Sequence, residues 1–492
     1  MRIRPARIKR FVLALALAVL ALPGAATAAH GLVTAVIPNF GLDAANDDLQ
    51  FARIRAAGAT AVSISVTWNG IAPRARPSGF DAANPADPAY DWSAVDRRVL
   101  LAQADSLAPI LAFAGAPTWA QAPIPKGVPH TDRDGPYKPS PDQLGQFAKA
   151  ASRRYDGTFR TDDGVLLPRV RHWIAWNEPN IYRYLTPQNL NGKPFSPEWY
   201  RRMVNAFSSN VHAVRSDNLV VAGATFPFGA GDRISPLKFM RSMLCMSNGA
   251  KPHAVCSRKA SFDVWSHHPY TRGDPFHHAQ GVDEVSLGDL PAMRDLLNAA
   301  VRARHVVSKH KVQFWVDEFS YDSRPPDPSS LTVPLPLHAR WTAESLYQMW
   351  RSGVNLATWF LLRDDPVSVS PYQSGLWFNG SQDTSDLSQD WPKPALQAFR
   401  FPFVAYRTGK IVSLWGRTPN SGPAPVAIEI ASSGGWRRVA TVHAGGNGIF
   451  IGKVASSHIP NRKGMLRARV GSDASFPFSL KRPPDRFVLA FG

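Results

Sequence analysis

A chain of 492 residues with 56 lysines and arginines against 37 aspartates and glutamates carries a formal net charge of +19. Its hydrophobic share of 44% is the ordinary globular proportion, which excludes a disordered chain and permits a sizeable core. After residue 28 the basic residues are dispersed and no nucleic-acid module signature appears, so the charge is read as spread over the surface, without a nucleic-acid partner.

The chain opens with a basic segment (Arg2, Arg4, Arg7, Lys9, Arg10), an apolar stretch from Phe11 to Leu22, and a small-residue cleavage site at Ala26-Thr27-Ala28. The apolar stretch is short for a spanning helix, which needs about 20 residues. Residues 1–28 are therefore expected to be a cleaved signal peptide, and the remainder a secreted monomer with no membrane span. Removing the leader takes away five basic and no acidic residues, so the net charge falls from +19 to +14. The two cysteines, Cys245 and Cys256, read as a disulfide in an oxidising compartment, and no CxxC spacing suggests a metal knuckle.

Strand-like apolar runs occur at 33–38, 61–68, 108–113, 170–176, 219–223, 262–267, 312–316 and 355–360. Helical stretches follow them at 47–57, 94–105, 141–154, 197–215, 236–246, 290–309, 337–351 and 394–407. Near-continuous apolar strands, each followed by a helix, predict a parallel sheet covered by helices. Eight such units are the number that closes into a (β/α)8 TIM barrel. An open doubly wound sheet is the alternative, but no GxGxxG follows the first strand. The long segments 74–90 and 122–138 follow strands 2 and 3, where barrel loops rim the active face. Beyond residue 407, short alternating segments at 411–415, 426–431, 436–442, 449–454, 465–470 and 476–480 are separated by SSGG, AGGNG and GSD turns. They predict a small all-β sandwich. The expected organisation is a signal peptide (1–28), a barrel (29–407) and a C-terminal β-sandwich domain (408–492).

The fourth strand runs into HWIAWNEPNIY (172–182), which sets Asn177 and Glu178 at its mouth. A carboxylate there is costly unless something uses it. The seventh strand, VQFWVDEFSY (312–321), ends in Asp317-Glu318. In a barrel the C-terminal strand ends face one cavity. Two carboxyls across such a cavity suit glycosidic bond cleavage, one protonating the leaving oxygen while the other attacks or activates water. Asn177 is a ready donor to a sugar hydroxyl. Because side chains alternate along a strand, one of Asp317 and Glu318 is expected to face outward, and spacing alone does not choose between them.

WNEPN at 176–180, followed by a strand-7 glutamate in WVDEFSY, resembles the clan A retaining glycoside hydrolases, most of all their family 39 and family 5 branches. The resemblance spans about residues 32–407. It implies an O-glycosidase acting on an oligo- or polysaccharide by double displacement, with Glu178 as acid/base, Glu318 as nucleophile, and no metal or organic cofactor. Strand 6 of the clan often ends in a histidine and a tyrosine, and WSHHPY supplies His268 and Tyr270. Strand 8 often carries a tryptophan under the substrate, and ATWFLL supplies Trp359. One departure concerns strand 2, where many members carry an arginine near the nucleophile and this chain has Ser63.

Other readings stand beside these. His267, His268, His277 and His278 form a histidine-rich stretch, but no HExxH spacing or acidic third ligand marks a metal site. Trp68 and Trp119, like Trp359, fall at or beyond strand ends and either stack on sugar rings or plug the barrel mouth. The terminal domain is read as a packing element rather than a carbohydrate binder. The alternative function is a non-catalytic carbohydrate-binding protein on a decayed barrel, with Ser63 as its sign.

Overall fold

The computed structural model describes residues 28–39, 44–127, 135–459, 464–484 and 486–488. Residues 1–27, which hold nearly all of the expected signal peptide, lie outside them. The barrel strands are β1 (Val33–Ile37), β2 (Ala61–Thr67), β3 (Ala108–Ala114) and β4 (His172–Ile174). They continue with β5 (Leu219–Thr225), β6 (Val264–His267), β7 (Gln313–Phe319) and β8 (Leu356–Phe360). All pair in parallel with their sequence neighbours, and β8 closes on β1 through the register Val33↔Leu356 to Ile37↔Phe360.

A helix follows each strand: α1 (Ala44–Ala56), α2 (Ser93–Ala104), α3 (Pro141–Arg154), α4 (Ser196–Val214), α5 (Pro236–Leu244), α6 (Leu290–Arg302), α7 (Leu335–Arg351) and α8 (Pro394–Arg400). Proline opens the first turn of α3 through α8, where its missing N–H has no intrahelical partner to lose. Two helices are shorter than expected. The stretch 290–309 stops at Arg302 because Arg304 takes a left-handed turn (φ 59°) and β-branched Val306–Val307 pairs with Ala260–Ser261. The stretch 394–407 stops at Arg400, since Pro402 disfavours helical geometry at Phe401. Phe403–Thr408 is instead β9, which belongs to the C-terminal sheets.

One inward side chain from each strand fills the lower barrel: Ala35, Ala61, Ile110, Ile174, Val221, Val264, Trp315 and Leu356. Above this plug Ser63, Ser65, Ala112 and Ala114 are too small to fill the barrel, and a cavity opens at the C-terminal strand ends. That is the face on which a barrel gathers its chemistry.

The C-terminal part is a pair of antiparallel sheets. One contains β9, β10 (Ile411–Arg417) and β13 (Ile449–Ala455). The other is built on β11 (Pro425–Ser432), β12 (Gly435–His443) and β14 (Met465–Val470), with short strands at its edge. Phe403 of the first sheet packs against Phe450 and Phe478. The barrel meets these sheets through α7: Trp350 and Tyr347 pack on Trp415, and Tyr406 donates from its hydroxyl to Glu344. Among the described residues no helix is long and apolar enough to cross a membrane.

Cys245, the left-handed cap of α5 (φ 53°), is bonded to Cys256 with the two Cα atoms 5.4 Å apart. The loop between them is drawn into a small hairpin by the Met246↔Ala254 bridge and the Val255 N–H to Cys245 carbonyl bond. Loop closure of this size stabilises by about 3 kcal/mol in the chain-entropy model. The Cys245→Ser, Cys256→Ser double variant is therefore expected to melt several degrees below the parent in calorimetry. Equal melting temperatures with and without reductant would show that the crosslink does not constrain the unfolded chain.

Candidate active site

Glu178 stands four residues past the β4 ladder in the left-handed region (φ 38°), a conformation that costs a residue with a Cβ on the order of 1–3 kcal/mol. The surroundings hold it there. The Glu178 N–H bonds the carbonyl of Ala224, and its own carbonyl accepts from Ile181. Asn180, fully buried, donates its side-chain amide to the carbonyls of Phe226 and Ile234 and accepts from the Phe226 N–H. Trp176 ties the following turn back by donating from its ring nitrogen to the Tyr184 carbonyl. Every polar atom of the Trp-Asn-Glu-Pro-Asn turn that is fixed in this way aims the carboxylate into the cavity.

Across the mouth, the expected alternation of Asp317 and Glu318 does not hold. The β7–β8 register shifts between Val316 and Phe319, and both carboxylates line the cavity. An irregularity of this kind re-aims side chains at a strand end. Neither residue is turned outward.

His268, just past β6 and 1% exposed, joins the three acids. Its Nδ1 lies 3.0 Å from Glu178 Oε1 and 3.9 Å from Glu318 Oε1, and its Nε2 lies 3.3 Å from Asp317 Oδ1. Burial on its own lowers the imidazole pKa, but Glu318, Asp317 and the bond to Glu178 outweigh it and hold the ring well above its usual 6.5. Nδ1 then donates to Glu178. Tyr270, also 1% exposed, donates its hydroxyl to Glu318 Oε1 at 2.7 Å. Burial raises the Glu318 carboxyl and His268 opposes the rise. Glu178 and Asp317 raise it further, the Tyr270 bond lowers it, and the net result is a carboxyl pushed up to about 7.

One donor atom each from Glu178, His268 and Glu318 lies within 4.8 Å of the others, a spacing that a metal ion could bridge. The imidazole argues against that use, because a protonated ring facing carboxylates from both nitrogens has no lone pair to give. The neighbouring histidines do not converge on the site. His267 is buried between Thr225 and the Val285 carbonyl, with burial holding its pKa down at about 3, and His278 pairs with Asp289.

These groups form the floor of a cavity of about 660 Å³. Asn177 lines it, half-buried, beside Glu178. Trp359, placed under the substrate by the resemblance, and Trp68 and Trp119, left open between sugar platform and plug, all lie outside it. Trp68 is fully buried and stacks on Phe147. Trp119 meets Trp68 edge-on and donates to the Pro73 carbonyl. Trp359 is 2% exposed, donates to the Ser374 carbonyl and packs among Phe319, His338 and Phe399. The next residue along β8, Phe360, points into the cavity instead, since neighbours on a strand face opposite ways. Tyr182, Tyr184, Phe226, Phe228 and Tyr372 supply further aromatic lining from the loops. Of these the sequence carried no signal, because loop residues show no periodicity. Asn180 was visible within the WNEPN motif, but its clamp on the 226–234 loop was not.

Neither a protein-family model nor a curated protein matches the chain. By structure it is similar to a family 39 glycoside hydrolase from the gut symbiont Bacteroides cellulosilyticus WH2, with a TM-score of 0.50 and 16% identity over 86% of this chain and 79% of that one. It also matches a GH39 enzyme from Xanthomonas axonopodis pv. citri (TM-score 0.47, 13% identity, 87% and 93% covered). A third match is a GH39 β-xylosidase from Caulobacter crescentus (TM-score 0.45, 14% identity, 82% and 84% covered). The first of these carries the comparison, and at its identity the likeness is one of fold.

The packing of Trp359 makes it a wedge behind β8. Trp359→Ala is expected to lose about 3–5 kcal/mol of stability, as for a truncated core aromatic, which chemical denaturation reads directly. A variant of parental stability would return Trp359 to the substrate side.

Proposed function

We propose that the chain is an exported O-glycosidase that cleaves its substrate with retention of anomeric configuration. The observation that carries this reading is the placement of Glu178 and Glu318 at the ends of β4 and β7, with a carboxylate oxygen of each within 4.8 Å across one cavity. Double-displacement pairs stand about 5–5.5 Å apart, whereas inverting pairs leave ~6.5–9.5 Å for a water. The fold likeness to a family 39 glycoside hydrolase supports it. The disulfide fits an oxidising compartment.

In this mechanism the Glu318 carboxylate attacks the anomeric carbon, the glycosidic C–O bond breaks, and Glu178 gives its proton to the leaving oxygen. The sugar is left as an ester of Glu318. Glu178, now a carboxylate, takes a proton from water as that water attacks the same carbon. The ester C–O bond breaks, Glu318 returns as carboxylate and Glu178 is reprotonated. Tyr270 holds the attacking rotamer by its bond to Glu318. Asn177 is placed to donate to a hydroxyl of the sugar bound over the pair. His268 is a positioning residue, since it orients Glu178 and places positive charge beside Glu318.

Glu318→Gln is expected to abolish turnover of nitrophenyl glycosides. Glu178→Gln should slow substrates with poor leaving groups by at least about 100-fold, the usual worth of general acid catalysis, while activated aryl glycosides suffer far less. NMR of the first-formed product should show the starting anomeric configuration. Inverted product, or a Glu318→Gln protein that still turns over, overturns the assignment.

The pH profile follows from the charge balance. The nucleophile must be ionised, so kcat/KM is expected to fall as pH drops below about 7, the value to which Glu318 is pushed. His268 lowers that value. Removing its charge in His268→Asn should raise the Glu318 pKa and move the acid limb to higher pH by about 1 unit. A limb that stays in place would mean that the ring is not charged beside the nucleophile.

A further inference from the structure

Three arginines line the cavity above its acidic floor: Arg183, Arg233 and Arg272. They come from the segments after β4, β5 and β6, which are adjacent strands of the barrel, so they occupy one arc of the rim. All three are exposed, and among the described residues none is ion-paired. Several buried or half-buried arginines elsewhere are paired with carboxylates: Arg154 with Asp96, Arg241 with Asp283, and Arg340 with Glu344.

Two of the rim arginines are set against aromatic rings of the same cavity. The Arg233 guanidinium sits 5.0 Å from the centre of Phe226, and that of Arg272 sits 4.2 Å from Phe228. Stacking restrains a guanidinium without using its five donors. The backbone beneath is restrained as well. Arg233 bridges Ile181 in an antiparallel contact, and Asn180 fastens both sides of the loop that carries it. The result is two restrained guanidiniums, with Arg183 beside them, that pair with no carboxylate among the described residues and face the space that a sugar chain must enter.

Like-charged groups gathered at one rim repel each other unless an anion comes between them, and a neutral sugar offers none. We infer that the substrate is an anionic glycan, one whose carboxylate or sulfate-ester groups are held by Arg183, Arg233 and Arg272 while the scissile bond lies over Glu178 and Glu318. The placement of the bond rests on the glycosidase reading, but the anion-binding arc does not. The negative floor and the positive rim then orient the chain, because a charged substituent is repelled from the carboxylates and drawn to the arc.

The test uses the full-length Glu318→Gln protein, so that binding is read without turnover. Isothermal titration compares oligogalacturonate, a sulfated heparin-type oligosaccharide and a neutral cello-oligosaccharide of matched length. At least one anionic oligosaccharide is expected to bind about tenfold or more tightly than the neutral one, the worth of one charge-assisted contact. The tighter of the two anionic ligands identifies the group recognised. Adding Arg183→Gln, Arg233→Gln and Arg272→Gln together should remove that preference, and raising the salt should weaken it. The control is Arg437→Gln with Arg438→Gln, two exposed arginines on β12 of the C-terminal domain, which should leave the preference in place. Equal binding of neutral and anionic chains overturns the inference. So does an anionic preference that survives the rim variants or disappears with the control pair. The glycosidase reading fails separately: wild-type protein that cleaves no glycoside while the rim-dependent binding persists would remove the chemistry and keep the anionic ligand. Turnover of neutral glycosides with no anionic preference would do the reverse.

Discussion

The site depends on one buried cation. Glu178, Asp317 and Glu318 converge at the strand ends, and three acidic side chains in a space with little water would repel one another when charged. His268 sits among them with a nitrogen 3.0 Å from Glu178 and another 3.3 Å from Asp317. Desolvating a charged imidazole is expensive, and only attraction from several acids at once makes it favourable. The arrangement is therefore mutual. The acids keep the ring charged, and the charged ring allows the acids to stay close. Removing either side leaves the other buried and uncompensated.

The rest of the fold serves to hold that arrangement in place. The Glu178 turn is strained, and the bonds of Asn180 and Trp176 over-determine it. The irregular end of β7 turns two consecutive acids to one side. Behind β7, helix α7 leads from the barrel to the C-terminal sheets, where Trp350, Tyr347 and Glu344 fix it against Trp415 and Tyr406. The second domain thus buttresses the helix that follows β7, the strand that carries Asp317 and Glu318. Its packing role is visible in these contacts.

The sequence made the architecture legible because burial on both faces of a parallel strand leaves a continuous apolar run. All eight runs correspond to barrel strands, and a helix follows each. Glu178 stood out as a carboxylate at a strand mouth, while Glu318, His268 and Tyr270 were picked out only by the resemblance; the barrel brings these strand ends together. What failed was direction at single positions. Trp359 and Phe360 are adjacent in an all-apolar run, so hydrophobicity does not say which of them faces the cavity. Strict alternation expected one of Asp317 and Glu318 to face outward, and the local register shift that turns both inward leaves no mark in composition. The arginines of the rim were invisible for another reason: in a chain rich in dispersed arginine, nothing distinguishes three on different loops until the barrel brings their strands side by side.

Ser63 joins these observations. Where many clan A members place an arginine beside the nucleophile, this chain has a serine lining the cavity, flanked by Ser65 and Ala112. Their small size gives the cavity its depth. The missing cation also explains the balance at Glu318: burial, Glu178 and Asp317 push its carboxyl up, with only His268 and the Tyr270 hydroxyl to bring it down. Around Ser63 the groups that remain, His268 and Tyr270, still contact Glu178 and Glu318. Positive charge has a different distribution here, with one imidazole kept at the carboxylates and three guanidiniums at the rim. Charge placed at the rim cannot stabilise the nucleophile through solvent. It acts on whatever enters, so in the proposed function the rim would be the part of this site that discriminates between substrates.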